Sequence, residues 1–176
     1  MTADITIRSA LVDDVADIAR LHRAIWCDTY RDLAPADVYQ ALDEEYRRMR
    51  WADMLANPRR DQRVLLAVLD DRLVGIGAIA ASSEPAFEGR GEIKSLYVDS
   101  SIKRRGIGRL MMREMAREFV SMGYSAIGLG VVVGNEPAIA FYRALGGQLV
   151  GQYVDPGPIW RSDNLIFAWD DLSLLT

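Results

Sequence analysis

The sequence predicts a mixed α/β fold, on three observations. Strand-like runs of alternating or continuously apolar residues recur between segments whose apolar residues have helical spacing. In the stretch SLYVDSSIKRRGIGRLMMREM (95–115), a strand leads through a glycine-bearing turn directly into a helix. The chain has 176 residues, 50% of them hydrophobic and 26% charged, which predicts one folded domain over residues 1–176.

The first elements are a strand and two helices. ITIRSA (5–10) alternates apolar and polar residues, as a short strand does. A helix follows from Asp13, which we interpret as the N-cap. A second helix is predicted over about residues 36–55, and it ends before Asn57-Pro58 because the proline disfavours its continuation.

The middle of the chain is predicted to be sheet. RVLLAVLDDRLVGIGAIAAS (63–82) indicates two strands joined by a tight turn at Asp70-Asp71. The proline- and glycine-containing segment 84–91 is predicted as a loop, and a further strand covers residues 92–98.

The remaining elements follow the glycine-bearing turn. The helix after it is predicted to end near Gly123, a natural residue just beyond a helix C-terminus. We then expect a strand at 125–133, a short helix at 135–145 capped by its first residue, and a closing pair of strands at 147–154 and 164–172.

Composition excludes several classes of function. The formal net charge of −4 disfavours a general nucleic-acid binder. The single cysteine, Cys27, excludes an internal disulfide and a multi-cysteine zinc cluster, and no metal site is predicted. The N-terminal sequence lacks a secretory signal and no apolar run is long enough to span a bilayer, so we expect a cytoplasmic protein without a membrane role.

The glycine-bearing turn is a candidate phosphate site. A helix N-terminus presents unpaired backbone N–H groups and a positive dipole, and Gly106 and Gly108 allow positive φ and close approach of a ligand. Arg104, Arg105 and Arg109 add positive charge. The turn matches neither the dinucleotide fingerprint nor the P-loop, and a capped helix with a basic solvent face remains the alternative.

Two motifs together resemble the GCN5-related N-acetyltransferase (GNAT) family. KRRGIG (103–108) is similar to the acetyl-CoA motif [Q/R]-x-x-G-x-[G/A], with Lys103 in place of the first residue. NEPAIAFYRALGG (135–147) matches the pattern N-x-x-A-x-x-F-Y-x-[K/R]-x-G. The resemblance implies a mixed central sheet with splayed middle strands and helices on both faces, and acetyl-CoA as cosubstrate.

The resemblance also implies which residues bind acetyl-CoA. The turn would hold the pyrophosphate, the backbone of one strand would run beside the pantetheine arm, and Asn135 and Tyr142 would lie at its end. The implied cofactor-binding residues are Leu96, Tyr97, Val98, Lys103, Arg104, Arg105, Gly106, Ile107, Gly108, Arg109, Asn135 and Tyr142.

The resemblance implies Tyr142 as the general acid and the backbone N–H of Val98 as the oxyanion donor; packing beside Phe141 is the alternative role for Tyr142. For the base we favour Glu92, which matches the catalytic glutamate of the family's histone acetyltransferases. Alternation predicts that Glu92, Lys94, Leu96 and Val98 share one face of the strand. A structural role paired with Lys94 is the alternative for Glu92. The ribosomal-protein alanine acetyltransferases place their base where this chain has Gly130.

The acceptor is not identified by the sequence. By resemblance, Trp26 and Tyr30, one helical turn apart, are candidates for lining its pocket, with core packing as the alternative. His22 is interpreted as a polar-face or satisfied histidine rather than a catalytic one. The leading hypothesis is N-acetylation of a primary amine of a small molecule or protein. A non-catalytic acyl-CoA sensor is the alternative, another acyl donor is a third hypothesis, and a homodimer is also considered.

Overall fold

The computed structural model describes residues 4–176, so residues 1–3 of the predicted domain lie outside the described residues. One seven-stranded sheet has the order β1-β2-β3-β4-β5-β7-β6. The strands are β1 (Ile5–Ser9), β2 (Gln62–Leu69), β3 (Arg72–Ala81), β4 (Gly91–Val98), β5 (Ile127–Val132), β6 (Gln148–Asp155) and β7 (Ser162–Trp169). The helices are α1 (Val15–Thr29), α2 (Ala36–Ala41), α3 (Glu44–Ala56), α4 (Ile107–Ser121) and α5 (Glu136–Ala144).

The first four strands form an antiparallel meander in chain order. The predicted tight turn between β2 and β3 is confirmed, since Asp70 and Asp71 both have positive φ, at 48° and 60°. This conformation suits the right-handed twist of a two-residue hairpin. The predicted end of α4 is also confirmed, because Gly123 follows it with a φ of 89°.

The prediction of one helix over residues 36–55 is wrong. The helix breaks after α2, and α3 begins at Glu44. Asp43 is the N-cap of α3, and its side chain accepts a hydrogen bond from the N–H of Tyr46 at 2.7 Å. The apolar spacing is continuous across the break and therefore does not reveal it. The sequence signal for the start of α3 is the N-cap aspartate, Asp43.

The first helix also begins later than predicted. Asp13 lies inside a short 3₁₀ turn (Val12–Asp14), and the N-cap position of α1 is Asp14. Its carboxylate accepts a hydrogen bond from the N–H of Leu11 at 2.8 Å and binds Arg8. No helix within residues 4–176 has the length and apolar character needed to cross a membrane.

Helices cover both faces of the sheet, as predicted. On one face, α1 and α3 bury Ile18 and Trp51 against Leu66 and Ile76 of the sheet. The opposite face carries α4 and α5, whose apolar side chains form the larger core. That core includes Met111, Met112, Met115, Phe119, Ile139 and Tyr142, packed on Ile79, Ile93, Leu129 and Phe167.

The two middle strands separate, which confirms the predicted splay. β4 and β5 are the parallel pair, and they are paired only from Gly91–Ile93 to Ile127–Leu129. Both strands continue beyond these residues, to Val98 and Val132, without pairing to each other. A gap therefore opens toward the C-terminal ends of both strands.

A bulge at Lys94 changes which residues of β4 share a face. Ile79 of β3 pairs with Ile93 and Ala78 pairs with Ser95, so Lys94 is the inserted residue. The prediction that Glu92, Lys94, Leu96 and Val98 share one face is therefore wrong. Glu92 shares the α1 face with Ser95 and Tyr97, and Leu96 and Val98 face α4.

Candidate active site

A cavity of about 1460 Å³ occupies the gap between β4 and β5. Its walls also include the C-terminal end of α1, the first turn of α4, α5 and the segment between β6 and β7. The predicted site residues that line it are Trp26, Tyr30, Glu92, Leu96, Tyr97, Val98, Lys103, Arg104, Gly106, Ile107, Gly108, Arg109, Asn135 and Tyr142. Of the residues predicted for the site, Arg105 alone does not line it.

The turn before α4 has the geometry of an anion site. Gly106 is the N-cap residue of α4, with a φ of 77° and no side-chain cap, which leaves the first-turn N–H groups without a side-chain acceptor. A Cβ at Gly106 would have no atom within 4 Å, so the space in front of the turn is open. Arg104 has a φ of 68°, a strained conformation of the kind found where residues serve ligands.

The segment leading into this turn is held in place by Asp99. Its carboxylate accepts a hydrogen bond from the N–H of Ser101 at 2.9 Å and forms an ion pair with Arg72 at 2.8 Å. Within residues 4–176, Lys103, Arg104 and Arg109 form no ion pair. Their charges are therefore available to an anionic ligand, and together with the open turn they fit a pyrophosphate.

Gly108 serves a different purpose from the one predicted. It lies in the first turn of α4 and has no positive φ. A Cβ at this position would lie 3.0 Å from Cζ of Phe141. The missing side chain therefore allows α5 to pack closely against the start of α4.

The backbone of β4 exposes hydrogen-bonding groups to the gap. The N–H of Asp99 donates to the carbonyl of Val74 in β3 at 2.9 Å. Since N–H groups alternate along an extended strand, the N–H of Val98 points the other way, toward the gap that β5 has left. This direction is the one that an oxyanion donor requires.

Tyr142 combines a packed ring with access to the cavity. Its ring centroid lies 5.2 Å from that of Phe141 and 6.1 Å from that of Trp169, so packing and cavity lining occur together. Burial raises the pKa of Tyr142 above its ordinary range, and the nearby Tyr97 adds to the shift. The hydroxyl therefore carries its proton at neutral pH.

Glu92 is buried, with 8% of its surface exposed, and it lines the cavity. One of its carboxylate oxygens accepts a hydrogen bond from Nζ of Lys94, the bulge residue. The pairing of Glu92 with Lys94, which the sequence offered as an alternative role for Glu92, is thus present. Glu92 nevertheless also faces the cavity.

Aromatic side chains form the wall on the α1 side. The ring centroids of Trp26 and Tyr30 lie 5.0 Å apart, and Trp160 packs edge-on against both, at 5.7 and 5.4 Å. Burial raises the pKa of Tyr30 above its ordinary range, opposed in part by the side chain of Asn135. Asn135 occupies the N-cap position of α5 as predicted, but its side chain makes no capping hydrogen bond.

Tyr153, Trp160 and Asn164 are among the cavity-lining residues that sequence inspection missed. They lie on or between the closing strands β6 and β7, which the sheet order brings beside β5. One signal was present in the sequence, because Gly130 inside a strand often marks the close approach of another group.

The profile of the acetyltransferase (GNAT) family matches residues 18–146. The chain belongs to this family. Uncharacterized N-acetyltransferase YuaI of Bacillus subtilis (strain 168) is 25% identical to this GNAT chain, over 97% of the chain and 96% of its own length. L-amino acid N-acetyltransferase AaaT of Escherichia coli (strain K12) is 28% identical, over 85% of this chain and 86% of its own length.

Among solved structures, PaiA N-acetyltransferase from Thermoplasma acidophilum in complex with coenzyme A has the same fold. The TM-score is 0.73 at 18% identity, covering 94% of this GNAT chain and 98% of that one. The predicted GNAT fold is therefore confirmed. The chain is an N-acetyltransferase by family, and the cavity between β4 and β5 is its candidate active site.

Proposed function

We propose that this GNAT protein transfers the acetyl group of acetyl-CoA to a primary amine of a small molecule or protein. The observation that carries the proposal is the single cavity at the splay, which joins the basic turn before α4 to Val98, Tyr142 and Glu92. Because one relative is named as an L-amino acid N-acetyltransferase, amino acids are the first acceptors to test.

Acetyl-CoA binding is assigned to the α4 turn and β4. The first-turn N–H groups of α4, with Lys103, Arg104 and Arg109, would hold the pyrophosphate. The free edge of β4 at 96–98 would bind the pantetheine arm like a neighbouring strand, and Asn135 would lie near its end. Arg105 belongs to the proposed set only through its place in the motif.

Three groups then serve the chemistry, in which a nitrogen–carbon bond forms and the carbon–sulfur bond breaks. Glu92 would accept the proton that the amine loses. The N–H of Val98 would stabilise the negative charge that develops on the carbonyl oxygen. Tyr142, protonated at neutral pH, would donate its proton to the leaving sulfur.

The test is release of free thiol from acetyl-CoA with amino acids, polyamines, aminoglycosides and short peptides as acceptors. We expect turnover with one amine class and a fall in kcat of about 10²-fold or more for Tyr142→Phe. Tyr124→Phe is the matched control, because Tyr124 forms a similar edge-on ring pair with Phe119 and does not line the cavity.

Glu92 needs a separate experiment. For Glu92→Gln we expect a fall in kcat/KM for the amine that shrinks as the pH rises toward the amine's own pKa, since the amine then arrives neutral. Glu88→Gln, in the preceding loop and outside the cavity lining, is the control. A kcat/KM equal to that of the wild type at every pH tested would remove Glu92 from the mechanism.

If no amine supports turnover but acetyl-CoA still binds tightly, the acyl-CoA sensor would become the better hypothesis than the enzyme. The cytoplasmic location and the homodimer remain proposals. For the dimer we favour the free edge of β6, the last strand of the sheet, which exposes apolar side chains.

A further inference from the structure

Tyr153 reaches from the edge of the sheet into the candidate active site. It lies on β6, pairs with Asn164 of β7, and extends across β7 to lie over Gly130 of β5. A Cβ at Gly130 would lie only 2.4 Å from the Tyr153 hydroxyl oxygen. The ring packs edge-on against Phe87, with centroids 5.6 Å apart. The hydroxyl is therefore held in a fixed place that a side chain at position 130 would otherwise take.

This place is on the same face of the sheet as Glu92. The register pairs Glu92 with Gly128, two residues before Gly130, and neighbouring paired residues share a face. Tyr153, Glu92, Gly130 and Asn164 all line the cavity. Nζ of Lys94 binds one oxygen of Glu92. The Tyr153 hydroxyl is a second polar group on this face of the cavity, and it has no role in the proposed chemistry.

The chemistry of this hydroxyl is restricted. Burial raises the pKa of Tyr153 to about 12. A hydrogen bond with the side chain of Asn164 lowers this pKa, and the negative charge of Glu92 raises it further. A phenol that stays neutral at assay pH is not a base for an amine. It can, however, accept one hydrogen bond and donate another at the same time.

We propose that Tyr153 positions the acceptor amine. Its oxygen accepts a hydrogen bond from one N–H of the amine, and its own O–H donates toward the carboxylate of Glu92. The one lone pair of the amine nitrogen is then directed at the gap between β4 and β5. The inference rests on the proposed function, because it assigns the acceptor side of that same site.

The test compares wild type with Tyr153→Phe, which keeps the ring and its contact with Phe87. We expect kcat/KM for the amine to fall about tenfold, the effect of losing one hydrogen bond of this kind. KM for acetyl-CoA and the midpoint of thermal unfolding should not change. Tyr124→Phe removes the same atom from a ring pair outside the cavity lining and should leave all three quantities unchanged.

Gly130→Ala supplies an independent variant, because the new methyl group would lie 2.9 Å from Cε1 of Tyr153 and closer still to its hydroxyl oxygen, and so displaces the hydroxyl end of the ring without changing residue 153 itself. We expect the same defect for the amine in Gly130→Ala, and no further defect when it is added to Tyr153→Phe. This non-additivity is expected only if both substitutions act on the position of one hydroxyl.

Three outcomes overturn the inference. If Tyr153→Phe keeps the amine kcat/KM within twofold of wild type, the hydroxyl does not position the amine. If amine and acetyl-CoA kinetics worsen together with a lower unfolding midpoint, the role is structural. If wild type turns over no amine in the panel, the proposed function and this inference fall together, whereas the first two outcomes leave the proposed function standing.

Discussion

His22 lies partly buried in a small cluster between α1, α3 and β4. The indole N–H of Trp51 donates to its Nδ1 at 3.0 Å, Nη1 of Arg47 lies 2.9 Å from its Nε2, and the Tyr97 ring stacks at 4.4 Å. Burial, and then the charge of Arg47, lowers the pKa of His22 to about 3. The imidazole is therefore neutral near pH 7.

This residue makes stability depend on pH. In the unfolded state His22 has an ordinary pKa near 6.5, so it binds a proton at pH values where the folded state does not. The contribution of His22 to stability is therefore complete above pH 6.5 and is lost as the pH falls toward 3. Between pH 7.5 and 5.5 we expect the free energy of unfolding to fall by about 1.4 kcal/mol. Urea unfolding at the two pH values measures the change.

His22→Gln is the matched variant, since its amide oxygen can still accept from Trp51. The chain has no other histidine. Carboxylates whose pKa is lowered, such as Asp14 and Asp99, affect stability only at more acidic pH. The unfolding free energy of the glutamine variant should be nearly constant over this range. Equal losses in both proteins would assign the effect to another group.

Single residues of the site were predictable where they belong to a local pattern. Tyr142 and Gly106 follow from motifs contained in one helix or one turn, and both line the cavity. Tyr153 could not be found in this way, because its neighbours Gly130 and Glu92 come from other strands. Only the order of the strands brings the three together.

At the scale of elements, the strand, turn and helix around residues 92–121 were predictable because their signals are contiguous. The direction in which each side chain of the turn points was not predictable from the sequence. Arg104 has a left-handed backbone conformation, and the adjacent Arg105 does not line the cavity that Arg104 and Arg109 do. Three arginines that look equivalent in the sequence therefore differ in the structure.

This difference predicts unequal effects on CoA affinity. Arg104→Ala and Arg109→Ala should each raise the Kd for CoA by about tenfold, because each loses a charge-assisted contact with the phosphates. Arg105→Ala should change the Kd less than twofold. Isothermal titration calorimetry at two salt concentrations would measure this, with a weaker salt dependence expected for the first two variants. A loss for Arg105→Ala equal to the others would return it to the binding site.

Strand alternation and helical spacing give wrong predictions at two places in these elements. Regular alternation over residues 92–98 predicts one shared face, but the single inserted residue Lys94 places Glu92 on the opposite face from Val98. Helical spacing likewise continues through Leu42 and Asp43, where α2 ends and α3 begins. A bulge or a capped break costs one or two residues and leaves the surrounding pattern intact, so the pattern alone does not reveal it.

At the scale of the whole molecule, chain order predicts the meander β1 to β4, because successive strands usually pair with each other. The insertion of β7 between β5 and β6 does not follow from composition or periodicity. Its consequence is twofold. It brings Tyr153 across to Gly130, and it leaves β6 as the edge of the sheet with one side unpaired.

The free edge of β6 has features of an association surface. Leu149, Val150 and Val154 are 51%, 43% and 39% exposed, although all three are apolar. Among the residues of this strand, Gln148–Asp155, none is a lysine or arginine, the residues that commonly protect an edge from pairing. A second copy with the same edge would offer a symmetric partner.

We therefore expect the sedimentation coefficient of the wild type to rise with protein concentration toward that of a dimer. Leu149→Lys should weaken association at least about tenfold, because burying one leucine side chain contributes ~1.5–3 kcal/mol. Val120→Lys is the control, since Val120 of α4 is similarly exposed, at 54%, on a surface away from the edge. A wild type that stays monomeric at every concentration, or equal weakening by both lysines, would contradict association through β6. Loss of association only in Leu149→Lys would place the interface on β6, next to β7, whose Asn164 lines the cavity. The rate of acetyl transfer could then be compared between the associated wild type and the dissociated variant.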